Sequence, residues 1–191
     1  MHLLGAVRVS RPWTVWRARG ELSRLLERGG YAAVVCHAAW PQAIFGPVVR
    51  LSQVPLIFYQ HDALVGQHWL ERWARFTEPQ LVITNSHFSA GTLASVYPRS
   101  PYKVRYYPVL APAPTLASER ARVRAELGAG ERDAVILQCC RMEEWKGHRL
   151  LLEALGRLKS LPGWWLWVAG GAQRPLEARY LAELEASAAI E

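Results

Sequence analysis

Hydrophobic positions along the chain fall into two kinds of segment that alternate with each other. Short runs that are apolar at nearly every position predict buried strands. The predicted strands cover residues 31–37, 55–61, 81–86, 103–109, 134–140 and 164–171. Segments that are apolar on one side only predict helices that pack on those strands. The predicted helices cover residues 13–28, 41–51, 68–76, 89–97, 118–127 and 148–158, with a last one from about 175.

This alternation predicts an α/β fold with parallel strands joined by right-handed crossovers. Because the strands are apolar on both sides, both faces of each sheet are expected to be covered by helices. The pattern breaks at 108–118, PVLAPAPTLAS, where three prolines indicate a linker. We therefore predict a first unit at 1–110, a linker and helix at 111–131, and the beginning of a second unit at 132–191.

Composition narrows the class of protein further. The 191 residues are 51% hydrophobic and 20% charged, which is typical of a globular protein. The net charge of +7 comes from scattered arginines interleaved with glutamates, so we expect solvated helix faces and no nucleic-acid partner. No apolar run reaches the length of a membrane span, and a cytoplasmic location is expected.

The three cysteines, two of them adjacent, fit no zinc spacing, and we predict them to be buried and no metal to be bound. Most of the nine tryptophans are expected in the core.

Polar residues follow two predicted strands of the first unit, at the edge where ligands bind in open α/β sheets. His61 and Asp62 follow one strand, and Asn85 and Ser86 end another. His61 is interpreted either as a general base with Asp62 as its orienting carboxylate, or as a donor to a sugar hydroxyl. Asn85 either binds a ligand or caps the next helix, whereas capping is favoured for Ser86.

The segment 141–148, RMEEWKGH, lies between a predicted strand and a predicted helix. Arg141 has a planar fork that suits phosphate oxygens, Lys146 adds a compact charge, and Gly147 allows close backbone approach. Together with a helix N-terminus these features are typical of a diphosphate site. In the alternative interpretation Arg141 pairs with Glu143 or Glu144 and Lys146 is simply exposed. Spacing alone leaves both open.

Two glycines, Gly170 and Gly171, end the last predicted strand. They fit either a phosphate-binding turn or a tight strand-to-helix turn, and the pair alone favours the tight turn. The sequence contains neither GxGxxG nor a phosphate loop ending in GKS or GKT.

Taken in order, these motifs resemble glycosyltransferase family 4 over about residues 13–189. The resemblance is carried by RMEEWKGH, then LLLEAL, P-x-W-x-L-x-V-A-G-G and E-x-x-Y-x-x-x-L, together with H-D at 61–62 and N-S at 85–86. It implies a GT-B fold, that is, two Rossmann-like units, of which the second is incomplete here. It further implies sugar transfer from a nucleotide-sugar to an acceptor hydroxyl with retained configuration, and without a metal or other cofactor.

The resemblance also implies roles for individual residues. The catalytic residues would be His61, which contacts the transferring sugar, with Arg141 and Lys146, which stabilise the leaving diphosphate. The donor diphosphate would be held by Arg141, Lys146, Gly147, Gly170 and Gly171. The acceptor and sugar side would be formed by His61, Asp62, Asn85 and Ser86. The acceptor would be a saccharide, a lipid or a small molecule, and a lipid acceptor would bring peripheral contact with a membrane.

Two departures from the family pattern affect the expected activity. The resemblance extends neither to the first strand with its glycine-rich turn, which is missing or replaced by an atypical substitute, nor to the family's acidic E-x7-E motif. We therefore expect a partial chain with weak or no catalysis by itself. The alternatives are a noncatalytic remnant or interaction module of the same fold and, less favoured, a basic RNA-binding α/β protein.

Overall fold

The structure, a computed structural model, describes residues 2–188. The chain divides into two compact units, residues 1–110 and 111–191, and the boundary lies within the proline-containing segment 108–118. Both units contain parallel strands that alternate with helices, as the hydrophobic pattern predicts.

The first unit is built on a four-stranded parallel sheet in the order β1-β2-β3-β4. Its strands are β1 (Val34–His37), β2 (Leu56–Gln60), β3 (Leu81–Thr84) and β4 (Tyr102–Val104). The register places Cys36 opposite Phe58 and Phe58 opposite Val82. These three side chains are almost completely buried, so the middle of the sheet is the centre of the core.

Four helices surround this sheet: α1 (Pro12–Glu27), α2 (Ala39–Leu51), α3 (Trp69–Ala74) and α4 (His87–Thr92), the last continued by a 3-10 turn (Leu93–Ser95). Leu22 and Leu26 of α1 pack with Val49 of α2 and with the first two strands. A second cluster forms where Phe58 meets Tyr97 at a ring-centroid distance of 5.3 Å. Leu22, Leu26 and Val49 are therefore the apolar residues through which α1 and α2 pack on the sheet.

The second unit has two parallel strands, β5 (Ala134–Cys139) and β6 (Trp164–Ala169). Its helices are α5 (Ala117–Glu126), α6 (His148–Gly156) and α7 (Pro175–Ala188), with a 3-10 turn (Glu144–Lys146) before α6. Met142 packs with Tyr180 and Leu184 of α7 in its small core. None of the helices within residues 2–188 is both long and apolar enough to cross a membrane.

Three expectations about local structure are wrong. The fourth strand ends at Val104 instead of residue 109, because its neighbour β3 ends at Thr84. The last hydrogen bond between the two segments runs from the Arg105 N–H to the Thr84 carbonyl, at 2.8 Å. After Arg105 the chain has no strand beside it to pair with. Helix α5 begins at Ala117, one residue before the expected start at 118. Cys139 is exposed, because it lies on the same side of β5 as Leu137, which is itself 59% exposed.

The expectation that most tryptophans lie in the core is also wrong. Trp13 and Trp16 are exposed on α1, because Val15, Ala18 and Leu22 occupy its buried side. The other exposed tryptophans are Trp40, Trp69, Trp145 and Trp165.

Candidate functional site

Two histidines meet at the carboxyl edge of the first sheet. His37 is the last residue of β1, and His61 directly follows β2. The parallel register pairs His37 with Tyr59, and His61 comes two residues later, directly after the end of β2. Both histidines therefore lie at the same edge of the sheet. Nδ1 of His37 lies 2.9 Å from Nε2 of His61, a hydrogen-bond distance. The strand-end rule places both His37 and His61 at this edge, but it does not predict the hydrogen bond between them.

A tyrosine from after β4 completes the contacts of His61. The hydroxyl of Tyr107 is hydrogen-bonded to Nδ1 of His61, so both ring nitrogens of His61 have partners in the chain. The interpretation of Asp62 as the orienting carboxylate is therefore wrong, since His37 and Tyr107 take that place and Asp62 is exposed. The sequence pattern places Tyr107 inside a strand at 103–109, so it did not indicate this contact; in the structure Tyr107 follows β4.

The charge state of His61 follows from its surroundings. Burial lowers the pKa of His61, the neighbouring His37 lowers it further, and Asp62 opposes the shift. The neutral imidazole is therefore favoured. A neutral ring has one N–H, so His61 donates in one of its two contacts and accepts in the other. Within residues 2–188, no three His, Cys, Asp or Glu side chains converge into a group that could hold a metal ion.

Asn85 and Ser86 support this edge from β3. The amide of Asn85 donates to the backbone carbonyl of His61 at 2.6 Å, and its oxygen accepts from the Ser89 hydroxyl at 2.8 Å. The hydroxyl of Ser86 accepts from the Ser89 N–H at 3.1 Å. The prediction that Ser86 caps this helix is confirmed, although the helix begins at His87. Asn85 uses both ends of its amide within the chain and is hydrogen-bonded to the backbone of His61.

In the second unit, Arg141 follows β5 and contacts an acidic neighbour. Its Nη2 lies 2.9 Å from Oε2 of Glu143, without the alignment of a hydrogen bond. The Arg141 side chain is 48% exposed and that of Glu143 is 17% exposed. The ion pair that the sequence left open is therefore formed with Glu143. An anion that binds Arg141 through this nitrogen would have to displace the carboxylate of Glu143.

Lys146 lies one residue before the glycine that precedes α6. Its Nζ is 3.7 Å from the centroid of the Trp145 ring, a cation–π contact, and its carbonyl accepts from the Gln138 amide at 3.0 Å. Gly147 has φ +79°, in the left-handed region that favours glycine, and α6 begins at the next residue. The ammonium is thus carried by a turn that leads directly into the N-terminus of α6.

The two glycines after β6 differ from each other. A Cβ at position 170 would lie 2.0 Å from the backbone carbonyl oxygen of Cys140, a distance that no side chain tolerates. A Cβ at position 171 would meet nothing within 4 Å. Close packing against the end of β5 therefore explains Gly170 without a ligand, in agreement with the tight turn favoured by the sequence.

A cavity of about 540 Å³ lies in the second unit between the strands and helices α6 and α7. It is lined mainly by apolar side chains such as Leu152, Leu166 and Leu184, and neither Arg141 nor Lys146 lines it. The cavity is thus separate from the two cations, although Gly170 is part of its lining. It is not the candidate diphosphate site.

Comparison with known proteins identifies the family. The model of Glycosyltransferase Family 4 matches residues 3–109, more than half of the chain. The chain belongs to glycosyltransferase family 4. The resemblance noted in the motifs is thereby confirmed. No curated protein matches the sequence.

Solved structures agree in fold. The Anabaena protein HepE, solved in complex with UDP-glucose, has a TM-score of 0.74 and 20% identity over 91% of this chain and 48% of its own. UDP-N-acetylglucosamine 2-epimerase from Rickettsia bellii has a TM-score of 0.53 and 11% identity over 96% of this chain and 50% of its own. The family 4 chain therefore spans about half the length of these proteins. The predicted α/β fold of Rossmann-like units of the GT-B type is confirmed.

Proposed function

We propose that this family 4 protein transfers a sugar from a nucleotide-sugar donor to an acceptor hydroxyl with retained configuration. One observation carries the proposal: Arg141 and Lys146 lie on the turn between β5 and α6, where a parallel strand and a helix N-terminus favour phosphate groups. The complex of HepE with UDP-glucose supports the choice of donor class, because the two proteins share a fold.

The chemistry required of the second unit is electrostatic. As the sugar leaves the donor, negative charge grows on the departing nucleoside diphosphate. Arg141 provides a planar pair of donors and Lys146 provides a point charge. The unpaired N–H groups in the first turn of α6, which follows Gly147, add partial positive charge. Groups that are fixed in place before the reaction stabilise such charge without reorganising.

The first unit would provide the sugar side. His61 is proposed to contact the transferring sugar, with Asp62 beside it for hydroxyl groups of the sugar or acceptor. To contact a hydroxyl through a ring nitrogen, His61 would have to give up either His37 or Tyr107. Asn85 is proposed to act indirectly, through its hydrogen bond to the His61 carbonyl.

Other parts of the proposal follow from the family. Ser86 would act on the acceptor side through the helix that it caps, and the glycines at 170 and 171 would allow the diphosphate to approach. The acceptor is a saccharide, a lipid or a small molecule, and no cofactor is needed besides the nucleotide-sugar.

Titration of the chain with UDP, followed by isothermal calorimetry, tests the donor site. Lys146→Ala is expected to weaken UDP binding by about tenfold or more, since hydrogen bonds to charged groups contribute about 1.5–3 kcal/mol. Lys159→Ala is the matched control, because Lys159 is an exposed lysine beyond the other end of α6. Unchanged UDP binding by Lys146→Ala would contradict the proposed site.

One observation favours a second candidate, a noncatalytic module of the same fold. Arg141 and Lys146 already have partners within their own loop, Glu143 and Trp145. If the chain is folded by circular dichroism and does not bind UDP, this second candidate is supported and sugar transfer by the chain is contradicted.

A further inference from the structure

Three aromatic rings at the edge of the first sheet are nearly parallel to one another. The rings of His37 and His61 are inclined by 13° to each other, and those of His61 and Tyr107 by 3°. Their centroids are 5.1 Å and 5.9 Å apart, and each pair is joined through ring nitrogens or the phenol oxygen. Such hydrogen bonds lie in the ring planes, so nearly parallel rings joined in this way are placed edge to edge. We call these three side chains the three-ring platform.

A fourth ring supports the platform. The centroid of Tyr59 lies 4.5 Å from that of His61, 5.2 Å from that of His37 and 6.1 Å from that of Tyr107. Tyr59 is inclined by 32° to 44° to these three rings, so it packs against the platform and is not part of it. The side chains at both ends remain accessible, since His37 is exposed and Tyr107 is 51% exposed. Tyr59 therefore supports the platform, and His37 and Tyr107 at its ends keep surface that a ligand can reach.

The hydrogen bonds within the platform decide what it can offer. Both nitrogens of His61 are used within the platform, so this ring presents its face to a ligand and not its polar atoms. The face of an aromatic ring carries negative charge density and attracts weakly positive C–H groups. A pyranose ring has a flat face of axial C–H groups, while its equatorial hydroxyls project from the rim. Asp62 is exposed and near enough to His61 to act on it by its charge, so its carboxylate can accept hydrogen bonds from such hydroxyls.

From these observations we infer that the three-ring platform binds a neutral pyranose ring of the acceptor by stacking. The inference rests on the proposed sugar transfer and adds to it the class of acceptor, a saccharide, and the residues that recognise it. His37 and Tyr107 contact the sugar, and they also position the ring of His61. Tyr59 is a positioning residue, because it acts through the platform.

Saturation-transfer NMR on the full chain tests the inference, with methyl β-D-glucopyranoside as the probe. Stacking predicts the largest saturation at the axial protons of one sugar face and an upfield shift of those protons. Tyr107→Ala is expected to raise the Kd of the glucoside about three- to tenfold, which corresponds to the loss of one aromatic contact. His37→Ala is expected to act in the same direction. Tyr106→Ala is the matched control, because the neighbouring ring of Tyr106 packs on His87 and is not part of the platform.

A second variant covers the case in which Tyr107→Ala does not fold. Tyr107→Phe keeps the ring and loses only the hydrogen bond to His61, and we expect weaker glucoside binding and less face selectivity. Equal saturation of both sugar faces, or equal affinity of the wild type and the Tyr107 variants, would overturn the inference. Binding of uridine in preference to the glucoside would overturn it in favour of a nucleobase site.

The donor titration separates this inference from the proposed function. UDP is expected to bind Tyr107→Ala as it binds the wild type, since its proposed site belongs to the second unit. A chain that binds UDP and not the glucoside would overturn the stacking inference and leave the donor proposal standing. A chain that binds the glucoside at the platform and not UDP would support the platform and refute the donor proposal.

Discussion

Replacing Glu143 with glutamine is expected to tighten the binding of a nucleoside diphosphate. The carboxylate of Glu143 lies 2.9 Å from Nη2 of Arg141, so it competes with phosphate oxygens for the same donor. Glutamine has nearly the same shape and no charge. The substitution therefore removes the competing anion, and it also removes repulsion between that anion and the incoming diphosphate.

The size of the effect follows from the exposure of the ion pair. Arg141 is 48% exposed, so solvent screens the pair strongly and it is worth about 0.5–1 kcal/mol, as exposed pairs generally are. Because about 1.4 kcal/mol corresponds to a factor of ten, the Kd for UDP is expected to fall about two- to fivefold. The gain should shrink as salt is added, since screening weakens the competition as well.

Calorimetric titration with UDP at low and at physiological salt measures this change. Glu144→Gln is the control, because it removes the same charge from the neighbouring exposed position without touching the ion pair of Arg141. The reasoning is refuted if Glu143→Gln binds UDP as weakly as the wild type does, or if Glu144→Gln tightens binding equally. The second result would mean that only the net charge of the loop matters.

Three further predictions concern stability. Phe58→Ala is expected to destabilise the first unit by about 3–5 kcal/mol in urea unfolding, because the ring is 1% exposed at the centre of the core. Gly170→Ala is expected to lower the melting temperature by circular dichroism, because its Cβ would meet the Cys140 carbonyl oxygen at 2.0 Å, whereas Gly171→Ala is expected to be tolerated. The lowered pKa of His61 means that the unfolded chain takes up a proton more readily, so the urea midpoint should fall as pH drops below about 6.5. A His61→Gln variant that shows the same fall would contradict this assignment.

Much of the fold follows from patterns that act locally. Strands β1, β2 and β3 are continuous apolar runs, and the parallel arrangement follows from the helices between them. The errors arise where an element depends on a partner distant in sequence. Strand β4 ends where Thr84 ends its neighbour; Pro108 is a local signal against a strand that reaches 109, but no local property of 105–107 indicates the end at Val104. Trp13 and Trp16 are apolar, but the helix buries its other side.

The candidate sites show the same division between what is local and what is not. The positions of His61 and Arg141 follow from the rule that ligand-binding residues cluster at the carboxyl ends of parallel strands. The rule does not predict which groups contact the side chains of His61 and Arg141. Tyr107 reaches His61 across 46 positions, and its ring orientation depends on how Tyr59 packs against both. Glu143 was one of two equally suitable acids, and only the conformation of the turn decides between them.

These contacts change what the predicted residues mean chemically. A histidine at a strand end suggests an imidazole ready to accept or donate a proton, but His61 has both nitrogens occupied and offers its face. Similarly, Arg141 is not an unpaired cation, since binding of a phosphate must first displace Glu143. In both units the residue expected to contact the substrate is restrained by a neighbour in the same chain. Substrate affinity should therefore depend on His37, Tyr107 and Glu143, and these are the positions at which conservative substitutions are most informative.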